Sequence, residues 1–385
     1  MDIRVLQGDD IKKAAALWKY CFGDTDEFTD WYFSCHEDRH VLGMMEGDEL
    51  MAQIVCTHQD VGVRGVDRGA AILSGVATAP SCRGRGFMSE LMTHGLSYVR
   101  QRGESLAALY PYEYRFYEQY GFAKCGEVAK VNAPIGRLTA AKLMGEVVML
   151  KGGGEDKAKL VRAYEASYGG YSGRVRREES DFARLLEELA QDGGYGAVYR
   201  RDGEEKGYIL YVMRGEVMDI REIGAADHIA RQDMYGFICS HSSTMQTAEF
   251  LCPLDDPLWR LISDPRGLVS AEPYAMLRMV EMEITMQGLP AGDGLVTMKV
   301  MDPYAPWNEG VWQFFGSDGK LDVEKIPDPG FGELSVISIG DLTQWAFGYA
   351  GGRDLQRQGA LLTDICAEIM DDILPKRPVF LYEKY

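Results

Sequence analysis

At 385 residues the chain is too long for one ordinary hydrophobic core, so two or three domains are expected. Apolar residues make up 46% and charged residues 26%, the balance of a globular protein, and no apolar stretch is long enough to span a bilayer. A net charge of −18 excludes the basic footprint that nucleic acid requires and favours cationic partners, amines among them, although solubility alone accounts for most of it. The chain opens on Met1-Asp2-Ile3-Arg4, without the basic-then-apolar layout of a signal peptide, so the cytoplasm is its expected location. Residues 9–22 predict a helix, with Asp9 or Asp10 as cap and Ile11, Ala15, Trp18 and Phe22 on one face. A second helix is expected from near Thr25. Strands are expected at His40–Met45, Glu49–Thr57 and Gly69–Thr78, then a helix over 86–102 ended by Gly103. Ser105–Tyr110 predicts a strand, Glu113–Tyr120 a short helix and Phe122–Val131 another strand, the alternation of an α/β sheet domain.

Lys151-Gly-Gly-Gly-Glu155 is a flexible break. Beyond it, 155–191 is expected to be mostly helical, and Gly194–Arg201 with Glu205–Arg214 to form a hairpin turning at Arg201-Asp202-Gly203. A strand at Val217–Gly224, a helix over 226–241 and a strand at Thr247–Cys252 complete a second unit, which has no glycine-rich turn. From about Tyr274 the pattern changes to expected strands at Leu277–Met286, Gly294–Met301 and Gly310–Phe315, then helices at 340–350 and 359–372. The 8 cysteines form no C-x-x-C pair and read as buried or free thiols.

The chemistry concentrates in Val76-Ala77-Thr78-Ala-Pro80-Ser-Cys-Arg83-Gly84-Arg85-Gly86-Phe87-Met88. A strand runs into a turn rich in Arg and Gly that opens directly into a helix. Such a turn aims consecutive backbone N–H groups and the positive end of the helix dipole at one spot. Arg83 and Arg85 add charge-assisted donors, and glycine at 84 and 86 lets backbone approach an anion without a Cβ in the way. The run is neither a dinucleotide fingerprint nor a P-loop, because no Gly-Lys-Ser/Thr follows. The bland alternative is a basic surface turn capping a helix.

This stretch, followed by Leu106-Ala-Ala-Leu-Tyr110-Pro-Tyr112-Glu-Tyr114-Arg-Phe116-Tyr117-Glu-Gln-Tyr120-Gly121-Phe122, resembles the GNAT acetyltransferases. Their Arg/Gln-x-x-Gly-x-Gly/Ala motif grips the coenzyme A pyrophosphate. Arg83, Gly86 and Met88 occupy its places here, Met88 departing from the small residue of the general pattern. The Eis-like subfamily shares that departure, carrying R-x-R-G followed by two apolar residues. The resemblance implies a fold of tandem GNAT domains, the first catalytic and the second degenerate, with a C-terminal sterol-carrier-like α+β domain. The corresponding ranges are 1–143, 144–272 and 273–385. Asp302-Pro-Tyr-Ala-Pro-Trp307-Asn308-Glu-Gly310-Val-Trp312 and Leu334–Gly348 match the carrier-like domain. Assembly as a hexamer built from trimers is implied too.

By the same resemblance, acetyl-CoA is the co-substrate, held by Val76, Ala77, Thr78, Arg83, Gly84, Arg85, Gly86, Phe87 and Met88, with the Val76 or Ala77 N–H polarising the acetyl carbonyl. Tyr117 is the candidate general acid, since a phenol stays protonated at neutral pH. Composition alone does not choose it over Tyr110, Tyr112, Tyr114 or Tyr120. The terminal carboxylate of Tyr385 is implied as base or as anchor for a cationic amine, with Glu383 near it in sequence and a merely docked tail as the alternative. Phe22, Asp24, Trp31 and Tyr32 are the candidate substrate contacts, at least one of the two aromatics Trp31 and Tyr32 being core instead. His36 and His40 lack a third ligand, so no metal is expected. The expected reaction is direct acetyl transfer to a primary amine of aminoglycoside, polyamine or lysine type. The alternative is a non-enzymatic acyl-CoA or lipid-binding protein.

Overall fold

The computed structural model describes residues 1–34, 39–139, 143–330 and 334–382. The first stretch of chain forms β1 (Asp2–Val5), α1 (Asp9–Phe22), α2 (Asp26–Ser34), β2 (Arg39–Glu46), β3 (Glu49–Val63), β4 (Val66–Thr78), α3 (Phe87–Gln101), β5 (Leu106–Leu109), α4 (Tyr114–Glu118) and β6 (Ala123–Lys124). The middle stretch forms β7 (Glu127–Pro134), β8 (Glu146–Met149), α5 (Gly154–Tyr168), α6 (Glu179–Gln191), β9 (Tyr195–Arg201), β10 (Glu204–Arg214), β11 (Val217–Ala225), α7 (His228–Cys239), β12 (Thr247–Pro253) and β13 (Val269–Pro273). The last stretch forms β14 (Met276–Met279), α8 (Met282–Met286), β15 (Gly294–Met301), β16 (Gly310–Ser317), β17 (Lys320–Ile326), β18 (Ser335–Ser338), α9 (Ile339–Phe347), α10 (Gly352–Arg357) and α11 (Asp364–Ile373).

The chain makes two compact units, one of Met1–Cys125 with Ala275–Arg377, the other of Gly126–Tyr274 with Pro378–Tyr382. In the first unit a seven-stranded sheet runs β1-β2-β3-β4-β5-β14-β6, and a four-stranded sheet runs β17-β16-β15-β18. The large sheet is antiparallel except at β4 and β5, which pair in parallel over Ala70↔Leu106 to Leu73↔Leu109. One face carries Ile54, Leu73 and Leu109 against Phe87, Leu91, Met92 and Leu96 of α3. The other carries Val41 and Val55 against Trp18 and Tyr32 of α1 and α2. The long β3–β4 hairpin extends both strands through residues 58–68, which the sequence pattern left unassigned. Arg64 and Gly65 at its tip have φ of 52° and 86°, and positive φ at both positions suits a two-residue hairpin turn.

The second unit's sheet runs β13-β7-β12-β11-β10-β9-β8. Its β9–β10 hairpin turns at Asp202-Gly203, again with positive φ at both residues, where the sequence expects it. The expected strand 122–131 is broken in two. β6 ends in the first sheet, and β7 belongs to the second, so 126–139 packs with the second unit. The expected strand 277–286 is likewise shorter. Only Met276–Met279 pairs, filling the gap between β5 and β6, and Met282–Met286 coils into α8. No helix among the described residues is long and apolar enough to cross a membrane.

The carrier-like stretch is tied to the first GNAT-patterned stretch by a buried ion pair. Arg278 of β14 donates to both oxygens of Asp302 at 2.7 and 2.9 Å, and both side chains are fully buried. The same guanidinium donates to the Tyr120 carbonyl, and Asn308 donates to Asp302 at 2.9 Å. An uncompensated charge here would be costly, so all members of the network stand or fall together.

Candidate active site

β4 outlasts its neighbour. β5 ends at Leu109, and beyond Leu73 no strand among the described residues pairs with the β5-facing edge of β4. Ser74–Thr78 is therefore held from one side only, by β3. A bulge falls in the same place, where Gln53 pairs with Ala77 but Val55 pairs with Ser74. Gly75 makes that bulge possible. Its φ is +54°, and a Cβ would lie 2.5 Å from the ring of Trp18. Glycine inside an otherwise apolar strand was the available signal for this feature, and the sequence reading passed over it.

The turn that follows stays open. Arg83, Gly84, Arg85 and Gly86 are all exposed. The backbone N–H groups from Arg83 through Met88 have no acceptor among the described residues, while the next one, of Ser89, already bonds back to Gly86. Gly84 and Gly86 sit at φ of +74° and +80°, the left-handed region that lets the amides face one way. Gly86 caps α3 without a side chain, so the positive helix terminus is left for a ligand. Arg85 rests on the Phe87 ring at 4.6 Å, and Arg83 donates weakly to the Thr78 carbonyl at 3.4 Å and to Cys21 Sγ at 3.8 Å. Neither guanidinium has a carboxylate partner among the described residues, in a chain with 59 carboxylic residues. Two cations without a carboxylate partner, beside a row of amides without an acceptor among the described residues, fit a diphosphate. The side chains of Phe87 and Met88 are buried in the core, at 5% and 9% exposure, so only their backbone is open to a ligand.

Tyr117 lies on α4, whose N-terminus is capped by Glu113 accepting from the Arg115 amide at 3.2 Å. Its ring is 3% exposed, in edge contact with Phe116 at 5.0 Å and Tyr112 at 5.9 Å. Its hydroxyl has no hydrogen-bond partner among the described residues. Burial, with the neighbouring phenols of Tyr112 and Tyr120 adding to it, pushes the Tyr117 phenol well above the ordinary value. It therefore holds its proton throughout the neutral range. The other tyrosines are differently placed. Tyr120 packs on Tyr304 at 5.0 Å, Tyr114 lies under Lys124 at 5.2 Å, and Tyr112 is 75% exposed. Burial and the neighbouring Glu113 raise the Tyr112 phenol, and the charge of Arg83 lowers it in part.

The expected substrate contacts separate into two groups. Phe22, at the end of α1, is 48% exposed, and Cys21 beside it touches Arg83, which brings this corner to the turn. Asp24 accepts from the Trp18 indole at 2.7 Å, and Trp18 in turn covers Gly75 of the bulge. Trp31 is half-buried against Phe28 at 5.7 Å. Tyr32 is core: it is 2% exposed, it hydrogen-bonds Ser74 at 2.7 Å, and Arg39 stacks on its ring. Trp18 and Tyr32 thus support the open segment of β4 from below, a role the sequence reading did not assign. Tyr385 and Glu383 lie outside the described residues, as does His36. His40 is taken up by Tyr98 and Arg102. No group of three or more His, Cys, Asp or Glu residues among the described residues is arranged for a metal.

In the second unit the corresponding positions are filled. β11 pairs in parallel with β12 only over Val217–Asp219, so these strands also part. Here α7 follows β11 directly, and the carboxylate of Asp227 caps it, accepting from the Ala230 amide at 2.9 Å. Arg201 grips the same carboxylate at 2.6 and 3.1 Å and, with the cap, holds it down at about 2. An internal anion occupies the helix terminus that is vacant on α3.

Three family models match the chain: an acetyltransferase (GNAT) domain over residues 2–125, a second acetyltransferase (GNAT) domain over 173–279, and a sterol carrier protein domain over 276–382. An uncharacterized N-acetyltransferase of Streptomyces avermitilis is 24% identical, the match covering 98% of each chain. A probable N-acyltransferase of Enterococcus faecalis superposes with a TM-score of 0.90 at 25% identity, over 100% of this chain and 99% of that one. Eis1 of Mycobacterium abscessus shares the fold at a TM-score of 0.80 and 20% identity, over 99% of both chains.

Proposed function

The chain belongs to the GNAT N-acetyltransferases in their Eis-like form, two GNAT domains followed by a sterol carrier protein domain, and on that footing we propose that it moves acetyl from acetyl-CoA directly onto a primary amine of a small cationic substrate. The observation that carries this reading is the conjunction, within the first unit, of free amides at Arg83–Met88, the unpartnered strand edge at Ser74–Thr78 and the unpartnered hydroxyl of Tyr117.

Arg83, Arg85 and the amides of Gly84, Gly86, Phe87 and Met88 hold the diphosphate. The edge of Val76–Thr78 binds the pantetheine arm, and the Val76 or Ala77 N–H polarises the thioester carbonyl. The amine nitrogen attacks that carbonyl carbon and the carbon–sulfur bond breaks. Tyr117 delivers its proton to the leaving sulfur and regains one from solvent. The proton lost by the amine passes to the base or to water. The terminal carboxylate of Tyr385 serves either as that base or as the anchor of the cationic amine. Phe22, Asp24 and Trp31 contact the substrate, for which aromatic walls with an acidic neighbour suit an aminoglycoside, a polyamine or a lysine side chain. We further place the enzyme in the cytoplasm, as a hexamer by its likeness to Eis proteins.

A thiol-release assay with acetyl-CoA across an amine panel tests the reading. Thiol release with at least one amine, stoichiometric with acetylated product, is expected. No release with any amine, alongside tight binding of a fluorescent fatty acid, would sink it in favour of a lipid-binding protein. Deleting Tyr385 is expected to cut turnover while leaving acetyl-CoA affinity intact, and full activity of that variant would remove the carboxylate from the mechanism.

A further inference from the structure

Apart from the phosphate turn, the first unit holds a cavity of about 580 Å³, within the size range of small-molecule sites. One wall comes from the end of α4 through β6, the other from the end of β15 and the start of α9. α9 opens on Ser338-Ile-Gly-Asp341-Leu-Thr-Gln344, so Asp341 and Gln344, three residues apart, share a helix face, and both line the cavity. Phe122, Ala123 and Ile339, all buried, give it apolar surface together with the ring of Tyr304. Glu118, Gln119 and Gln358 in the lining are exposed, so the space is reached from solvent.

Its polar groups are unevenly satisfied. The Ser338 hydroxyl caps α9, accepting from the Asp341 amide at 3.1 Å, and donates to the Asp341 carboxylate at 2.8 Å. That carboxylate has no cation partner among the described residues. Lys124, the only cation lining the cavity among the described residues, is taken up by Glu118 at 3.1 Å. Asp302 is spent on Arg278 and Asn308. Gln344 donates from its amide nitrogen to the Lys124 carbonyl at 2.9 Å, while its Oε1 has no donor among the described residues. An acceptor left so is costly, and a carboxylate one helix turn away adds charge. What this wall lacks is a positively charged donor.

We propose that this cavity is an effector site for an organic cation, an amidinium, guanidinium or ammonium head on an apolar body, separate from the site of acetyl transfer. Asp341 takes the head by a charge-assisted hydrogen bond, Gln344 orders it, and Phe122 and Tyr304 hold the body, the Tyr304 ring adding a cation–π contact. The same two rings reach the catalytic helix. Phe122 contacts the Tyr117 ring at 6.1 Å, and Tyr304 contacts Tyr120 at 5.0 Å. Glu118 and Gln119, which line the cavity, directly follow Tyr117. A bound cation therefore restricts the end of α4 and with it the placement of the Tyr117 hydroxyl. This effector role rests on the reading that Tyr117 takes part in transfer, whereas binding does not.

Calorimetry on the full chain with benzamidine, an aromatic amidinium that is not an acetyl acceptor, tests the site. Asp341→Asn keeps the shape and removes the charge, and Met301→Trp narrows the cavity from the exposed end of β15. Wild type is expected to bind benzamidine with a Kd below ~1 mM, and each variant at least ~10-fold more weakly with an unchanged thermal melt. Benzyltrimethylammonium, which has the charge but no N–H donor, is expected to bind at least ~10-fold more weakly than benzamidine. No binding to wild type up to ~10 mM, or affinity in Asp341→Asn and Met301→Trp within ~2-fold of wild type, overturns the site. Equal affinity for the two cations overturns the hydrogen-bonded head. At saturating amine, benzamidine is expected to change kcat at least ~2-fold in wild type with the acetyl-CoA KM unchanged, and to leave Asp341→Asn unaffected. Binding with an unchanged kcat, or an equal change in Asp341→Asn, overturns the effector role alone. Absence of turnover with every amine sinks the acetyl-transfer reading and the effector role with it, while the calorimetry still decides the site.

Discussion

Replacing Arg85 with Glu tests the proposed diphosphate-binding role of the turn separately from the fold. Arg85 makes no ion pair among the described residues, and its one recorded contact is the Phe87 ring at 4.6 Å. An exposed cation–π contact of this kind is worth about 0.5–1 kcal/mol. A carboxylate next to the N-terminus of α3 is favourable by about 0.3–1 kcal/mol, so the two changes nearly cancel in stability. Binding has no such compensation. The charge-assisted bond to the diphosphate, about 1.5–3 kcal/mol, is lost. The new like charge at about 4 Å adds repulsion of about 1–4 kcal/mol between the limits of water and protein surface. A net loss of about 2.5–7 kcal/mol corresponds to a roughly 10²–10⁵-fold rise in Kd. Titration calorimetry with acetyl-CoA at low and high salt measures it, with a thermal melt as control. The gap between wild type and Arg85→Glu should narrow as salt is raised, since the charges are exposed. A Kd within about threefold of wild type, with an unchanged melt, would refute the assignment of the turn to the diphosphate.

Tyr117→Phe should lower kcat about 10²-fold with acetyl-CoA affinity unchanged, because the lost hydroxyl has no partner to strand among the described residues. The Tyr117 phenol is raised, and its protonated form is the working one, so the wild-type kcat should not fall as pH rises through the ordinary tyrosine range near 10. Asp302→Ala leaves the fully buried Arg278 uncompensated and should cost about 3–5 kcal/mol in denaturant unfolding, whereas Arg278→Met with Asp302→Leu should restore much of it. Asp227→Ala should cost about 1 kcal/mol at neutral pH through the lost cap of α7. The folded-state value of Asp227 is depressed to about 2 from an ordinary 3.8, so its contribution is present above the ordinary value and lost as pH falls through the lower one. The stability difference between wild type and this variant should therefore close over that window.

The open turn of the first unit was legible because its signals are local. A turn of two arginines and two glycines between a strand and a helix dictates amides that face outward, whatever surrounds it. The hairpin at Asp202-Gly203 was legible for the same reason. What escaped were features set by distant chain. The stretch 122–131 looks like one strand because its apolar pattern continues through Cys125-Gly126, yet the chain leaves one sheet there for another. β14 has the same apolar run as its flanks, and nothing local says that only Met276–Met279 will fill the gap beside β5. Trp18 and Gly75 lie far apart in sequence, and only the strand bulge brings the ring over the glycine. The two GNAT units share a sheet order without a visible sequence repeat, since that order needs only the polar and apolar alternation.

One topological accident, two parallel strands that part before the longer one ends, occurs in both units, and the residues placed at the parting decide what each unit does. In the first, Gly86 caps α3 without a side chain and the edge of β4 beyond Leu73 pairs with no strand among the described residues, which leaves donors open to a ligand. In the second, Asp227 caps α7, and the hydroxyls of Tyr168 and Tyr382 take the Ile223 and Arg221 carbonyls. Conversely, Gly86→Asp should silence the first site by the same device: a carboxylate over the α3 amides would compete with the diphosphate for them. Acetyl-CoA affinity should then fall by at least about tenfold, the loss of one cluster of charge-assisted donors. The strain of a non-glycine residue at φ of +80° should cost about 1–2 kcal/mol, partly offset by the new cap. Undiminished affinity in this variant would show that the α3 terminus is not where the anion sits.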